Sequence, residues 1–276
     1  QKREAIMTLT LTAMLIAFGL FLSMLLFLEL GRQTGLRRLS RDPDGLASGT
    51  GTAEGAVFGL LGLLIAFTFS GAADRFEQRR HLITDEANAI GTAYLRLDLL
   101  APADRLALQK RFADYTLLRA KVFSEVDNLA LTEQRLSDTN LQQQQIWQQA
   151  QQACQRPGAA PQAAMLLLPA LNEMIDITTT RFVATQNHPP MAIFLLLAGL
   201  SLIGALLVGY EMAANHRRSW LHHLAFAAIL SFSVYIIIDL EFPRIGLIRI
   251  HSADQVLLDL QQQMLSTQSV SPAQQQ

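Results

Sequence analysis

The sequence predicts an all-α, polytopic membrane protein: four transmembrane helices, with a helical bundle inserted between spans two and three. Two observations carry this. Half of the 276 residues are hydrophobic and only 16% are charged, against roughly a quarter charged in an ordinary soluble domain. The apolar residues also lie in long runs, each near the ~20 residues a helix needs to cross a bilayer core.

Span one is expected at about Ile6–Leu30. Lys2 and Arg3 precede it as they would a signal peptide. The run is too long for a signal h-region and no small-x-small site comes after it, so it reads as a retained span. A loop with Arg32, Arg37, Arg38 and Arg41 leads to the turn-like Asp42-Pro43-Asp44-Gly45. Span two covers about Glu54–Gly71. No Gly/Pro pair punctuates the residues after it, so its helix is expected to continue through Asp74–Leu99. Pro102 starts another helix, with Leu106, Phe112, Tyr115, Leu118 and Val122 at helical spacing. A Gln-rich helix is expected from about Leu131 to Cys154, before Pro157-Gly158. A further one begins near Pro161 or Pro169 and leads into span three. Pro189-Pro190 opens span three, Met191–Tyr210, and Pro243 closes span four, Leu221–Leu240. A short polar link with Glu211, His216, Arg217 and Arg218 makes these two a hairpin. The expected organisation is 1–71 for spans one and two, 72–188 for the extramembrane bundle, 189–250 for spans three and four, and 251–276 for a C-terminal tail. The tail reads as disordered after about Ser266.

Composition excludes several function classes. The net charge of −1, from 22 basic and 23 acidic residues, gives no basis for nucleic-acid binding. One cysteine, Cys154, supports neither a disulfide framework nor a cysteine zinc cluster. The chain has no HExxH, P-loop, GxGxxG or GxSxG pattern, and the adjacent His222 and His223 point to different helix faces. No cofactor, metal site or enzymatic centre is expected. An enzyme reading has only His81, Asp85 and Asp239 to rest on.

Several polar or small-residue patterns remain. In span two, Gly55, Gly59, Gly62, Ala66 and Ser70 form a small-residue stripe suited to close helix packing. Beside it run Glu54, Phe58, Leu61, Ile65 and Thr68. An acid at one mouth, three bulky apolar residues and a hydroxyl suit a pore wall whose neck is Phe58, Leu61 and Ile65; lipid or core contact is the plainer reading. Farther on, His81, Asp85, Asn88, Thr92 and Arg96 share one helix face, as a vestibule lining or as an ordinary solvated face. Asp74, Arg75, Glu77, Arg79 and Arg80 read as interfacial anchors. At the end of span four, Ser231, Tyr235 and Asp239 are followed by Glu241, with Arg244 and Arg249 as the nearest cationic partners in sequence.

The segments Glu54-Gly55 through Phe67-Thr68-Phe69-Ser70-Gly71-Ala72-Ala73-Asp74-Arg75-Phe76, then Asp85-Glu86-Ala87-Asn88-Ala89-Ile90-Gly91-Thr92-Ala93-Tyr94-Leu95-Arg96, and Asp239-Leu240-Glu241-Phe242-Pro243-Arg244-Ile245-Gly246-Leu247-Ile248 together carry a resemblance. The chain resembles the prokaryotic bestrophin-like family, distant relatives of the bestrophin channels. That resemblance implies a pentameric anion channel whose second span lines a hydrophobic neck and runs on into a cytosolic helical funnel. It implies a cytoplasmic N-terminus, bundle and C-terminus; the Lys/Arg distribution alone is too even to orient the chain. The acidic calcium clasp of true bestrophins has no counterpart here, so calcium gating is not carried over.

The expected function is thus a homo-oligomeric, anion-conducting channel of the cell inner membrane, with the lipid bilayer, small ions and copies of itself as partners. The alternative is a non-conducting membrane scaffold or sensor whose bundle binds a protein.

Overall fold

A computed structural model describes residues 2–42, 51–122, 129–214, 220–243, 247–248 and 251–270. Its helices are α1 (Lys2–Leu39), α2 (Gly51–Arg96), α3 (Pro102–Val122), α4 (Leu129–Cys154), α5 (Ala163–Gln186), α6 (Met191–Glu211), α7 (Trp220–Glu241) and α8 (His251–Val270). Among the described residues no strand occurs. Four helical stretches are long and apolar enough to cross a membrane: those containing α1, α2 and α7, and one ending in α6. The segments Pro43-Asp44-Gly45, His216-Arg217-Arg218, Arg244 and Arg249 lie outside the described residues.

The local sequence explains the boundaries. Helix α2 runs unbroken for 46 residues because nothing between Glu54 and Arg96 removes a backbone donor. Pro102 takes the first position of α3, where its missing N–H costs nothing. Pro169 lies inside α5, so Pro161, not Pro169, marks that helix's approach. Asn187–Pro190 separates α5 from α6, since a residue before proline is pushed out of helical geometry.

The chain forms two compact units, and α2 supplies residues to both. Unit 2 comprises Met7–Phe76 and His188–Ile248. One part of its core gathers Leu61 and Ala72 of α2, Leu197 and Leu200 of α6, and Val234, Ile237 and Leu240 of α7. A second gathers Met24 and Leu28 of α1 with Ala205 of α6 and Ala227 of α7. Helices α1 and α6 meet backbone to backbone. A methyl group at Gly31 would fall 2.0 Å from the Leu206 carbonyl oxygen, and one at Gly209 would fall 2.0 Å from that of Leu28. Gly35 sits close to Tyr210 and Ala213 in the same way. Lipid gives apolar side chains little reason to leave it, so close backbone approach supplies the packing that holds such helices together.

Unit 1 contains Glu77–Asn187 and the segment from Arg249 onward. Helix α8 packs across α2 and α3 there: Leu257 and Met264 are buried, Leu260 touches Gly91, Tyr94 donates to the Met264 carbonyl and Thr116 to its sulfur. The expected disorder after Ser266 gives way to helix as far as Val270. The apolar spacing Leu257, Leu260, Met264 is the signal that predicts this helix.

Replacing Gly209 with Ala should destabilise the folded subunit, because neither backbone can yield the space. Gly19→Ala should not, since a methyl there meets nothing within 4 Å. Thermal unfolding of the two purified variants in detergent checks the contrast; equal midpoints would show that the α1–α6 crossing is loose.

Candidate functional site

The faces of α2 divide sharply. Glu54, Leu61, Thr68 and Ala72 are buried, and Phe58 and Ile65 pack on the same core. Phe58 meets Phe226 edge-on at 6.1 Å and rests against Gly204. The expected neck stripe Phe58, Leu61, Ile65 therefore turns into its own subunit, with Leu61 only 2% exposed. Leu60, Leu63 and Phe67 stand outward instead, Phe67 at 68% exposure. Gly55, Gly59 and Gly62 also lie on the outward side, with nothing within 4 Å of where a side chain would be. Among the described residues, Gly31, Gly35 and Gly209 are the glycines that closely approach backbone within the subunit.

The mouth residues divide in the same way. Glu54 is 4% exposed, and the carboxyl of Glu211 at the end of α6 lies beside its own. Thr68 returns its hydroxyl to the Leu64 carbonyl of its own helix. Neither is placed to line an open face of this subunit. By contrast His81, Asp85, Asn88 and Thr92 are all exposed. Arg96, half-buried, donates to the Leu166 carbonyl of α5.

Of the two carboxylates at the end of α7, Asp239 is bonded to groups near it in sequence and Glu241 to a residue far away. Asp239, buried, accepts from the backbone N–H groups of Leu247 at 2.9 Å and Ile248 at 2.8 Å. Tyr235 donates to it weakly at 3.4 Å. Glu241, also buried, receives Arg75 of α2 through Nε at 2.9 Å and through Nη2, and His188 Nδ1 lies 3.4 Å away. The His188 ring stacks on Phe242 at 4.7 Å. Arg75 is therefore an ion-pair partner of span four. Arg79 also turns inward: Nε donates to Ala184 O and Nη2 to Asn187 O. That puts a cation on the last carbonyls of α5, where the helix dipole favours it. Arg80 pairs with Glu77 on the surface.

One constellation was not visible in the sequence. Glu86 of α2, completely buried, bridges Arg119 of α3 and Arg181 of α5. Burial alone would push the Glu86 carboxyl up, but the two guanidiniums outweigh it and hold it below the usual carboxylate range. Tyr115, one turn before Arg119, has its phenol pushed up by burial, with Glu86 adding to the shift. Gln143 of α4 donates to the Tyr115 hydroxyl at 3.0 Å and to Thr178 Oγ1 at 3.2 Å. Gln143 also lines a cleft of about 350 Å³ with Asn140, Gln144, Trp147, Gln148 and Ile175. A hint lay in the spacing of Tyr115 and Arg119, but only the fold brings Glu86 to them.

Among the described residues no group of three or more His, Cys, Asp or Glu could hold a metal ion. Four membrane-length helices, a helical insertion after the second and ion pairs that tie helices together define a multi-pass helical membrane protein. The bestrophin-like domain matches residues 49–255, three quarters of the chain, and the chain belongs to that family. No curated protein and no solved structure matches it.

Glu86→Gln leaves two buried guanidiniums without their anion and should cost about 3–5 kcal/mol of stability, the usual cost of breaking a buried pair. The folded-state pKa of Glu86 lies below its unfolded value. Its contribution is thus complete above about pH 4.3 and is lost as pH falls through the lower folded value. Chemical denaturation of wild type and Glu86→Gln between pH 3 and 7 checks this; the difference between them should narrow only at the acid end.

Proposed function

We propose that this protein is a homo-oligomeric ion channel of the cell inner membrane, with α2 lining the conduction path. The observation that carries the reading is the outward face of α2. In a subunit of a bestrophin-like protein, this helix commits one side to its own core and leaves Gly55, Gly59, Gly62, Ala66 and Ser70 on the outer side. The small residues Gly55, Gly59, Gly62 and Ala66 allow neighbouring copies to approach closely. Leu60, Leu63 and Phe67 then supply the apolar constriction, which gates by dewetting. They replace Phe58, Leu61 and Ile65 in that role, because a residue in the subunit core cannot face a shared axis.

A pore on a symmetry axis requires closed cyclic symmetry, and the family resemblance favours five copies and anion conduction. The exposed residues His81, Asp85, Asn88 and Thr92, with half-buried Arg96 at their end, are assigned to the aqueous part of the path. The same resemblance supports a cytoplasmic N-terminus, helical insertion and C-terminus. A non-conducting scaffold has one observation in its favour: the open glycine face also suits a symmetric two-helix contact between two copies.

Single-channel recording in planar bilayers under asymmetric salt tests the proposal, with native mass measured in parallel. Leu63→Ala and Phe67→Ala should raise basal conductance while leaving the fold intact. Leu61→Ala should instead cost about 2–5 kcal/mol of stability, as a buried Leu→Ala change does. Silence from a folded oligomer, or a native mass of two chains, would overturn the channel in favour of the scaffold.

A further inference from the structure

In unit 2 the start of α2 meets the end of α6 through two groups of the same chemistry. Glu54 is buried, and the carboxyl of Glu211 lies beside its own. Glu54 Oε1 is buried and receives no hydrogen bond among the described residues. One turn farther along α2, Phe58 rests against Gly204 of α6 and stands edge-on to Phe226 of α7, so the core side of Glu54 is apolar.

Two ionised carboxylates do not fit this place. Each is an acceptor only, so neither can serve the other. Like charges side by side and withdrawn from water also cannot both stay ionised. A single proton removes both defects, because a neutral carboxyl is a donor. Burial assigns the proton to Glu54, since desolvation favours the uncharged form. Glu211 is exposed and keeps its charge in water.

The other titratable or charged groups at this end of unit 2 come from three helices. Helix α1 brings Glu29, held by Arg32 and Gln33, and then Arg37, Arg38, Arg41 and Asp42 follow near its end. Helix α6 brings Tyr210, whose ring lies against Gly35. Helix α7 brings His222 and His223. Among the described residues none of these is bonded to Glu54; the group acting on it is Glu211.

We propose that Glu54 binds one proton at neutral pH and donates it to the Glu211 carboxylate, so that a shared proton latches α2 to α6. Because Glu211 is exposed, that proton exchanges with water at the end of unit 2 where α2 begins. When solvent base takes it, two negative charges face each other and the contact opens. The latch does not depend on the channel reading: a non-conducting protein would carry it too.

Infrared spectroscopy of the full purified chain reads the proton directly. At neutral pH, the difference spectrum between wild type and Glu54→Gln should contain the carbonyl stretch of a protonated carboxylic acid. That band should fade as pH rises. Glu211→Gln removes the charge opposite Glu54 and should shift the fading to higher pH. Thermal unfolding gives a second readout. The folded chain holds a proton that an unfolded glutamate has released above about pH 4.3, so rising pH should lower the wild-type Tm. Glu54→Gln keeps a donor toward Glu211 and cannot ionise, so its Tm should fall less over the same range. A difference spectrum without the acid band at neutral pH would overturn the latch, as would parallel Tm curves. A wild-type Tm that follows added sodium or calcium and not pH would overturn it in favour of a bound cation. Should Glu54→Gln fail to fold, the wild-type band and its displacement in Glu211→Gln decide.

Discussion

Glu86 is the residue on which unit 1 depends. It is fully buried on α2 and binds one guanidinium from α3 and one from α5. Three helices separated widely in sequence are thus fixed in register by one carboxylate. Apolar contacts alone permit sliding along a helix surface; a charged hydrogen bond in the dry interior does not, because any displacement leaves an ion unpaired at a cost of several kcal/mol. Tyr115 and Gln143 extend the same network to α4. A helical bundle made largely of Leu, Ala and Gln acquires a single arrangement by this means.

Unit 2 reaches specificity differently. Its helices are apolar on nearly every side, so burying more hydrocarbon distinguishes one packing from another only weakly. Two devices take over. The α1–α6 crossing at Gly31, Gly35 and Gly209 admits no side chain, which fixes where those helices touch. At the end of α7, Asp239 holds two backbone amides and Glu241 holds Arg75. Polar groups near a bilayer face are kept where they have partners.

How much of this was legible in the sequence depends on the kind of signal. The four spans and the long run of α2 could be read because they rest on unbroken hydrophobicity and the absence of breakers, both local properties. The small-residue and bulky stripes of α2 were also visible, but their facing was not. Leu60, Leu61 and Leu63 differ only in angle around a helix that is apolar all round, and periodicity does not say which side its own subunit covers. The partners of Glu241 and Asp239 were sought nearby, at Arg244 and Arg249. Arg75 lies 166 residues from Glu241, a distance no local pattern bridges. Helix α8 escaped notice because its many glutamines mask the apolar positions Leu257, Leu260 and Met264.

The place of α8 has a consequence for biosynthesis. This helix covers the faces of α2 and α3 around Tyr94 and Thr116, yet it comes after span four in the chain. During translation, α3 therefore leaves the ribosome long before the segment that shields it. In the interval two further hydrophobic spans must be made and inserted, with that apolar face still uncovered. A nascent chain stalled before residue 251 would display it to chaperones and proteases, so synthesis of α8 is itself the step that closes unit 1.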